Sequence, residues 1–302
     1  MKTLLIVNPH SGTSRGKEHI VEAAREILPD LEVAYTEHRG HASELATDAA
    51  RRGFEAVVAV GGDGTVNETA RALCNTGVIM GVVPAGSGNG LARHLSIPMN
   101  PVEALKVVAE GRHETCDFCT ANHKPFFCTF GVGFDAAVSS RFAATPDQRG
   151  LVNYVRSAVQ EFVRFKPDKY TISTELGTHT ERAFIVACCN ASQYGNNAFI
   201  APKASITDGL MDVTVVHKGT WLSHALSGLE IITGALHNSP RVHTFRSAHV
   251  TIQRPTEGPV HLDGEPDQMG TVIDVRCHPG GLKVFSPGEL HVMPILTSLG
   301  IK

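Results

Sequence analysis

The stretch Ala56-Val57-Val58-Ala59-Val60 runs directly into Gly61-Gly62-Asp63-Gly64-Thr65-Val66-Asn67-Glu68, and this junction decides the fold. The apolar run reads as a buried strand, and the residues from about Thr65 to Leu73 read as a helix. Gly61, Gly62 and Gly64 have no Cβ, so the backbone between can take positive φ and a ligand can approach its N–H groups closely. The helix adds its positive dipole end to the same place, and Asp63 puts a carboxylate where a nucleotide's metal would sit. A plain strand-to-helix turn needs one glycine and a capping residue. Three glycines around an acid point instead to a phosphate seat.

Two more loops of this kind surround it in the sequence. Met80 to Val83 reads as a second buried strand, followed by Pro84-Ala85-Gly86-Ser87-Gly88-Asn89-Gly90 and a short helix, Leu91 to Leu95. A first strand, Leu4 to Val7, leads into Asn8-Pro9-His10-Ser11-Gly12-Thr13-Ser14-Arg15-Gly16-Lys17. That loop is not a Walker-type P-loop: the glycine spacing is one residue short, and Glu18 stands where a magnesium-binding Ser or Thr belongs. Up to Gly111 strands alternate with helices, at Glu18 to Leu28, Glu32 to Tyr35, Ser43 to Arg52 and Val102 to Glu110, which implies a parallel sheet covered on both faces. In such sheets ligands bind at the carboxyl ends of the strands, where all three loops lie.

After Gly111 the rhythm changes to strands. Thr115 to Ala121 and Phe126 to Phe130 read as a hairpin about Asn122-His123, and further strands are expected at Lys169 to Thr174, Ala183 to Cys189, Met211 to His217, His249 to Gln253, Val260 to Leu262 and Thr271 to Cys277. Helices are expected at about Leu151 to Arg164, with an apolar core-facing stripe, and at Leu222 to Leu236. The fold class is therefore α/β plus all-β: a parallel α/β nucleotide-binding domain, 1–114, followed by an antiparallel β-sandwich, 115–285.

Composition narrows the function. The 302 residues carry a net charge of −3 with the histidines neutral, so no bulk basic field argues for nucleic acid, and any lipid contact must be local. No apolar run approaches the roughly 18 residues of a membrane span, and the amino terminus reads as a strand rather than a leader, so a cytoplasmic protein is expected, peripheral if it meets a bilayer. Seven cysteines without a leader favour free thiols, and Cys116-x-x-Cys119 has no second pair at metal-binding spacing. The histidines form no metal-ligand motif.

The four motifs GGDGTVNE at Gly61 to Glu68, NPHSG at Asn8 to Gly12, PAGSGN at Pro84 to Asn89 and LDGEP at Leu262 to Pro266 together resemble the diacylglycerol kinase catalytic family, which includes bacterial lipid kinases, sphingosine kinases and ceramide kinases. The resemblance spans almost the whole chain. It implies an active site in a cleft between an NAD kinase-like α/β domain and a β-sandwich, with the tail 286–302 returning to the first domain. It further implies ATP, with magnesium, as phosphate donor and a lipid drawn from a membrane surface as acceptor. A homodimer is left open.

Carried over residue by residue, ATP is expected at Asn8, Thr36, Gly61, Gly62, Asp63, Gly64, Thr65, Asn67, Glu68, Gly86, Ser87 and Asn89. The proton acceptor for the lipid hydroxyl is expected in Asp263-Gly264-Glu265: the resemblance favours Glu265, Asp263 is its close rival, and Asp63 is a third candidate better assigned to nucleotide and metal. An ordinary carboxylate suffices, because in a loose phosphoryl-transfer transition state the proton leaves late. A structural Mg2+ is implied at Asp208-Gly209-Leu210, with the Asp208 carboxylate and the carbonyls of Ser205 and Leu210. Ser87-Gly88-Asn89-Gly90 departs from the Thr-x-Asn-Asp common in bacterial relatives towards the sphingosine and ceramide kinase pattern, which leaves the lipid unnamed. Two other readings stand beside the lipid kinase. NAD kinase shares the GGDG turn but is disfavoured by the Ser87 loop and LDGEP. A catalytically silent nucleotide- or lipid-binding regulator would have lost Asp63 or Glu265, and both are present.

Overall fold

The computed structural model describes residues 1–12, 17–144, 161–162, 165–217, 230 and 233–288. They form two compact units, Met1–Phe118 with the chain from Pro279, and Cys119–His278.

In the first unit strand and helix alternate: β1 (Thr3–Val7), α1 (Lys17–Ile27), β2 (Leu31–Tyr35), α2 (His41–Arg51), β3 (Ala56–Gly61), α3 (Asp63–Leu73), β4 (Ile79–Pro84), α4 (Gly90–His94) and α5 (Pro101–Glu110). β1 pairs in parallel with β2 on one side and β3 on the other, and β3 pairs with β4. The order β2-β1-β3-β4 therefore reverses at β1, which opens a crevice at the carboxyl ends of β1 and β3. β1 and β3 are buried throughout, as their unbroken apolar sequence requires when helices cover both faces. Punctuation follows the residues: the Asn100 side chain accepts the N–H groups of Val102 and Glu103 at the start of α5, Pro101 fills its first turn, and Gly111 ends it at φ +75°.

The second unit is built of antiparallel strands, one fully described α-helix and a short 3-10 turn at Leu236–Asn238. Two of its strands begin or end in the first unit: β5 (His113–Ala121) and β15 (Val272–Phe285), whose last residues pair in parallel with β4. Between them come β6 (Lys124–Phe126), β7 (Thr129–Gly133), α6 (Phe134–Ala143), β8 (Asp168–Thr174), β9 (Gly177–Cys189), β10 (Met211–His217), β11 (Val242–Ser247), β12 (His249–Gln253), β13 (Gly258–Leu262) and β14 (Glu265–Met269). The ladder runs β14-β13-β7-β9-β8-β12-β15, with β10 paired to β9 and β11. β9 explains its own apolar sequence. Val186 and Cys188 enter the sandwich core with Phe126, Phe130, Ile172 and Val213, while Ile185, Ala187 and Cys189 pack on a second cluster around Ile200 and Leu236.

Several features differ from the sequence expectation. The Phe126 to Phe130 run is broken at Phe127-Cys128, α6 follows β7 directly, and β11 and β14 are additional strands. Of the helices expected at Leu151 to Arg164 and Leu222 to Leu236 only 161–162 in the first and 230 and 233–236 in the second are described, and the tail beyond Gly288 lies outside the described residues. Of the first, Phe162 is described, and its ring packs 5.9 Å from that of Phe184.

Candidate active site

The three glycine loops of the first unit lie side by side because the parallel register leaves no other course. Val7 is level with Val60 and Gly61 with Pro84, so the loops leave the sheet together. The Asn8 N–H donates to Val60 O at 3.0 Å, and the Ala85 N–H to Gly61 O at 2.8 Å. Beyond these bonds the backbones touch. A Cβ on Gly86 would sit 2.5 Å from the Gly62 Cα, and one on Gly61 would strike the Thr65 side chain at 2.5 Å. Asn8 Nδ2 donates to Thr65 Oγ1 at 2.9 Å, across the point where the strand order reverses.

α3 begins earlier than the sequence suggests, at Asp63, so Gly64 and Thr65 belong to its first turn. Its N-cap, Gly62, offers no side-chain cap, and among the described residues the first-turn N–H groups remain for a ligand, as at phosphate-binding helix starts. Asn67, one turn on, is 3 % exposed, and its Nδ2 has no hydrogen-bond partner among the described residues.

Asp63 is occupied by the neighbouring loop. Its Oδ2 accepts the Asn89 N–H at 2.9 Å and its Oδ1 the Gly90 N–H at 2.7 Å, so it caps α4. Asn89, at φ +51°, closes the loop on itself through the Gly86 N–H and carbonyl. Glu68 accepts the Gly40 N–H at 2.8 Å and so fixes the turn after Thr36, a buried residue whose N–H extends the β1–β2 ladder to Val7 O. Ser87 is exposed and borders a cavity of about 580 Å³ that Gly12, Lys17, Gly86 and Asn100 also line. Lys17 was read from the sequence only as part of a failed P-loop. Its buried ammonium donates to Asn8 O, to Ser11 O at 2.6 Å and to Ser11 Oγ at 3.0 Å, and burial pulls its pKa below the usual lysine value. It shapes the first loop from beneath, and nothing in the spacing of the motif signalled that role.

In the second unit, Asp263-Gly264 forms the two-residue turn between β13 and β14, at φ +52° and +82°. The Asp263 carboxylate accepts three successive N–H groups: Phe127 at 2.9 Å, Cys128 at 2.7 Å and Thr129 at 2.8 Å. This explains the break between β6 and β7, since those amides turn to the acid instead of to a strand. Glu265, the first residue of β14, is half-buried. The far end of the hairpin is held by Arg254, whose guanidinium donates to the carbonyls of Gly258, Pro259, Met269 and Gly270. Beside the turn, and not anticipated from sequence, lies a network of buried Asp135 and His261 with half-buried Tyr194.

The residues of the implied structural Mg2+ site do not fit a resident ion well. Asp208 Oδ1 accepts the Leu210 N–H at 3.1 Å, and its Oδ2 faces Arg246 Nη1 at 3.5 Å. The same guanidinium pairs with Asp212 at 3.4 Å and donates to Lys203 O at 3.1 Å. A cationic side chain thus already stands among the oxygens. The Ser205 hydroxyl oxygen accepts the Thr207 N–H of its own turn at 3.4 Å.

Comparison with known proteins gives the family and the fold. Residues 2–121 match the model of the diacylglycerol kinase catalytic domain, and residues 128–286 that of the YegS C-terminal NAD kinase beta sandwich-like domain. A "Probable lipid kinase YegS-like" of Klebsiella pneumoniae is 28% identical over 95% of this chain and 96% of its own, and a "Probable lipid kinase YegS" of Salmonella arizonae is 29% identical over the same shares. Among solved structures, a diacylglycerol kinase from Bacillus anthracis superposes with a TM-score of 0.77 at 19% identity, covering 96% of this chain and 98% of the other. An NAD kinase from Archaeoglobus fulgidus in complex with ATP gives 0.55 at 14%, covering 95% of each. With both halves matched in order, the chain belongs to the diacylglycerol kinase catalytic family, in its two-domain form with the YegS-type β-sandwich.

Proposed function

We propose that this protein is an ATP-dependent lipid kinase that transfers the γ-phosphate of MgATP to a hydroxyl of diacylglycerol, a sphingoid base or a related lipid. The observation that carries the reading is the cradle at the ends of β1, β3 and β4, where glycine backbones touch and the start of α3 has no side-chain cap among the described residues. Such a seat suits a polyphosphate, whose oxygens take backbone N–H groups at a helix dipole. In the reaction the lipid oxygen bonds to the γ-phosphorus, the bond to the β,γ-bridging oxygen breaks, and the hydroxyl proton passes to a carboxylate. Glu265 is assigned that role, because the carboxylate of Asp263 is engaged by three amides. Asp63 is assigned to ordering the two glycine loops around the nucleotide. Among the described residues no helix is long and apolar enough to cross a membrane, and we assign the protein to a membrane surface reached from the cytoplasm.

The test is transfer of labelled γ-phosphate from MgATP to mixed micelles of diacylglycerol, sphingosine, ceramide or monoacylglycerol, with NAD as a separate acceptor, in wild type and Glu265→Gln. Label on one lipid that disappears in the variant supports the assignment. Label on NAD alone overturns it in favour of an NAD kinase, and ATP binding without any transfer points to a regulator.

A further inference from the structure

His261 and Asp135 are both buried, at 1 % and 6 % exposed, and no step of the proposed reaction uses them. His261 Nε2 lies 3.0 Å from Asp135 Oδ2, and Tyr194 Oη donates to the same oxygen at 2.9 Å. Asp135 Oδ1 accepts the Ala136 N–H at 2.8 Å, so the first turn of α6 holds the carboxylate still. The fold reserves space for the pair. Gly131 lies opposite His261 in the β7–β13 ladder, and a Cβ there would fall 2.2 Å from Asp135 Oδ2 and 2.3 Å from His261 Nε2.

The other ring nitrogen faces the turn. The Gly264 N–H points at His261 Nδ1 over 3.4 Å, a long bond but one that makes Nδ1 an acceptor. A nitrogen that accepts carries no proton, so the ring proton sits on Nε2 and is donated to Asp135. Asp135 therefore selects the tautomer that leaves a lone pair for Gly264. The turn is gripped twice, at Asp263 through its carboxylate and at Gly264 through the ring, and Glu265 comes next.

We propose that His261, held by Asp135 and Tyr194, is a positioning residue that sets the placement of Glu265 through the Gly264 amide. The inference rests on Glu265 being the proton acceptor. Two substitutions divide the ring between them. His261→Asn keeps an acceptor close to the position of Nδ1 and loses the reach to Asp135; His261→Gln keeps the reach to Asp135 and loses the acceptor for Gly264. Asn is expected to hold kcat within about threefold of wild type, and Gln to lower it at least about tenfold with KM for MgATP unchanged, as misplacement of a reacting group does. Hydrogen exchange in a peptide covering 258–269 is expected to quicken in Gln and not in Asn. Equal kcat in the two variants, or unchanged exchange in Gln, overturns the proposal. Should His261→Asn fail to fold, ¹⁵N NMR of the wild-type histidines decides: a proton on Nδ1 of His261 overturns it, and a proton on Nε2 supports it. Full activity of Glu265→Gln would sink the choice of proton acceptor instead, leaving the exchange and tautomer results to judge the grip on the turn.

Discussion

A carboxylate that accepts backbone N–H groups on both oxygens is held as part of the fold, and Asp63 and Asp263 are both of this kind. The sequence presents them as chemistry, acids beside glycines, and that reading is sound for their neighbourhood but not for their oxygens. The amides that occupy Asp263 are 134–136 positions away along the chain, so no local pattern could separate it from Glu265, two residues on. Stability measurements separate them. Asp263→Ala strips three buried amides of their partner and is expected to cost about 2–4 kcal/mol in urea unfolding, at ~1–3 kcal/mol for each group left unsatisfied and with partial relaxation. Glu265→Gln, isosteric and half-buried, is expected to move the midpoint by less than about 0.5 kcal/mol while abolishing transfer. A Glu265→Gln variant as unstable as Asp263→Ala would make Glu265 a second structural acid.

At the scale of elements, the β1, β3 and β4 junctions were readable because each combines an apolar run with glycines at a fixed place, and burial on both faces permits little else there. α6 was not readable. It starts straight out of β7 on Gly133 at φ +107°, with no side-chain cap, and its buried face includes Asp135 and Ser139, so neither cap nor apolar stripe marks it. β14 was missed because Glu-Pro-Asp-Gln-Met has almost no strand character of its own; pairing with β13 and the Arg254 anchor impose it. The glycine contacts give a sharp prediction for the cradle. In Gly86→Ala the new methyl meets the Gly62 Cα at 2.5 Å, and backbone cannot swing aside as a side chain would. The loops must part, at about 1–3 kcal/mol of overpacking, and MgATP binding measured by calorimetry should weaken at least about tenfold. Gly270→Ala, with open space around its Cβ position, is the matched control and should leave both melting and binding unchanged.

For the molecule as a whole, two conditions that commonly govern the stability of a protein act here in traceable ways. Because Arg246 supplies the positive charge between Asp208 and Asp212, the unliganded protein is expected to melt at the same temperature in EDTA and in millimolar Mg2+. A rise with Mg2+ that Asp208→Asn removes would restore the metal site. Acid is a different matter. His94, on α4, is 3 % exposed, and burial lowers its pKa from 6.5 to about 4. A depressed histidine means that the folded state keeps the ring neutral while the unfolded chain takes up a proton, so the unfolded state binds more protons between these two values. The contribution is therefore complete above about pH 6.5, declines as the pH falls, and is gone below about pH 4. At about 1.4 kcal/mol per pH unit it amounts to ~3 kcal/mol, about a fifth to three fifths of a typical folding free energy. Urea unfolding at intervals from pH 7.5 to 4 should show this loss in wild type, and in His94→Gln the curve should flatten across the same window even though the variant starts from a lower stability. An unaltered slope in the variant would mean that other groups, not the buried ring of α4, carry the acid sensitivity of the fold.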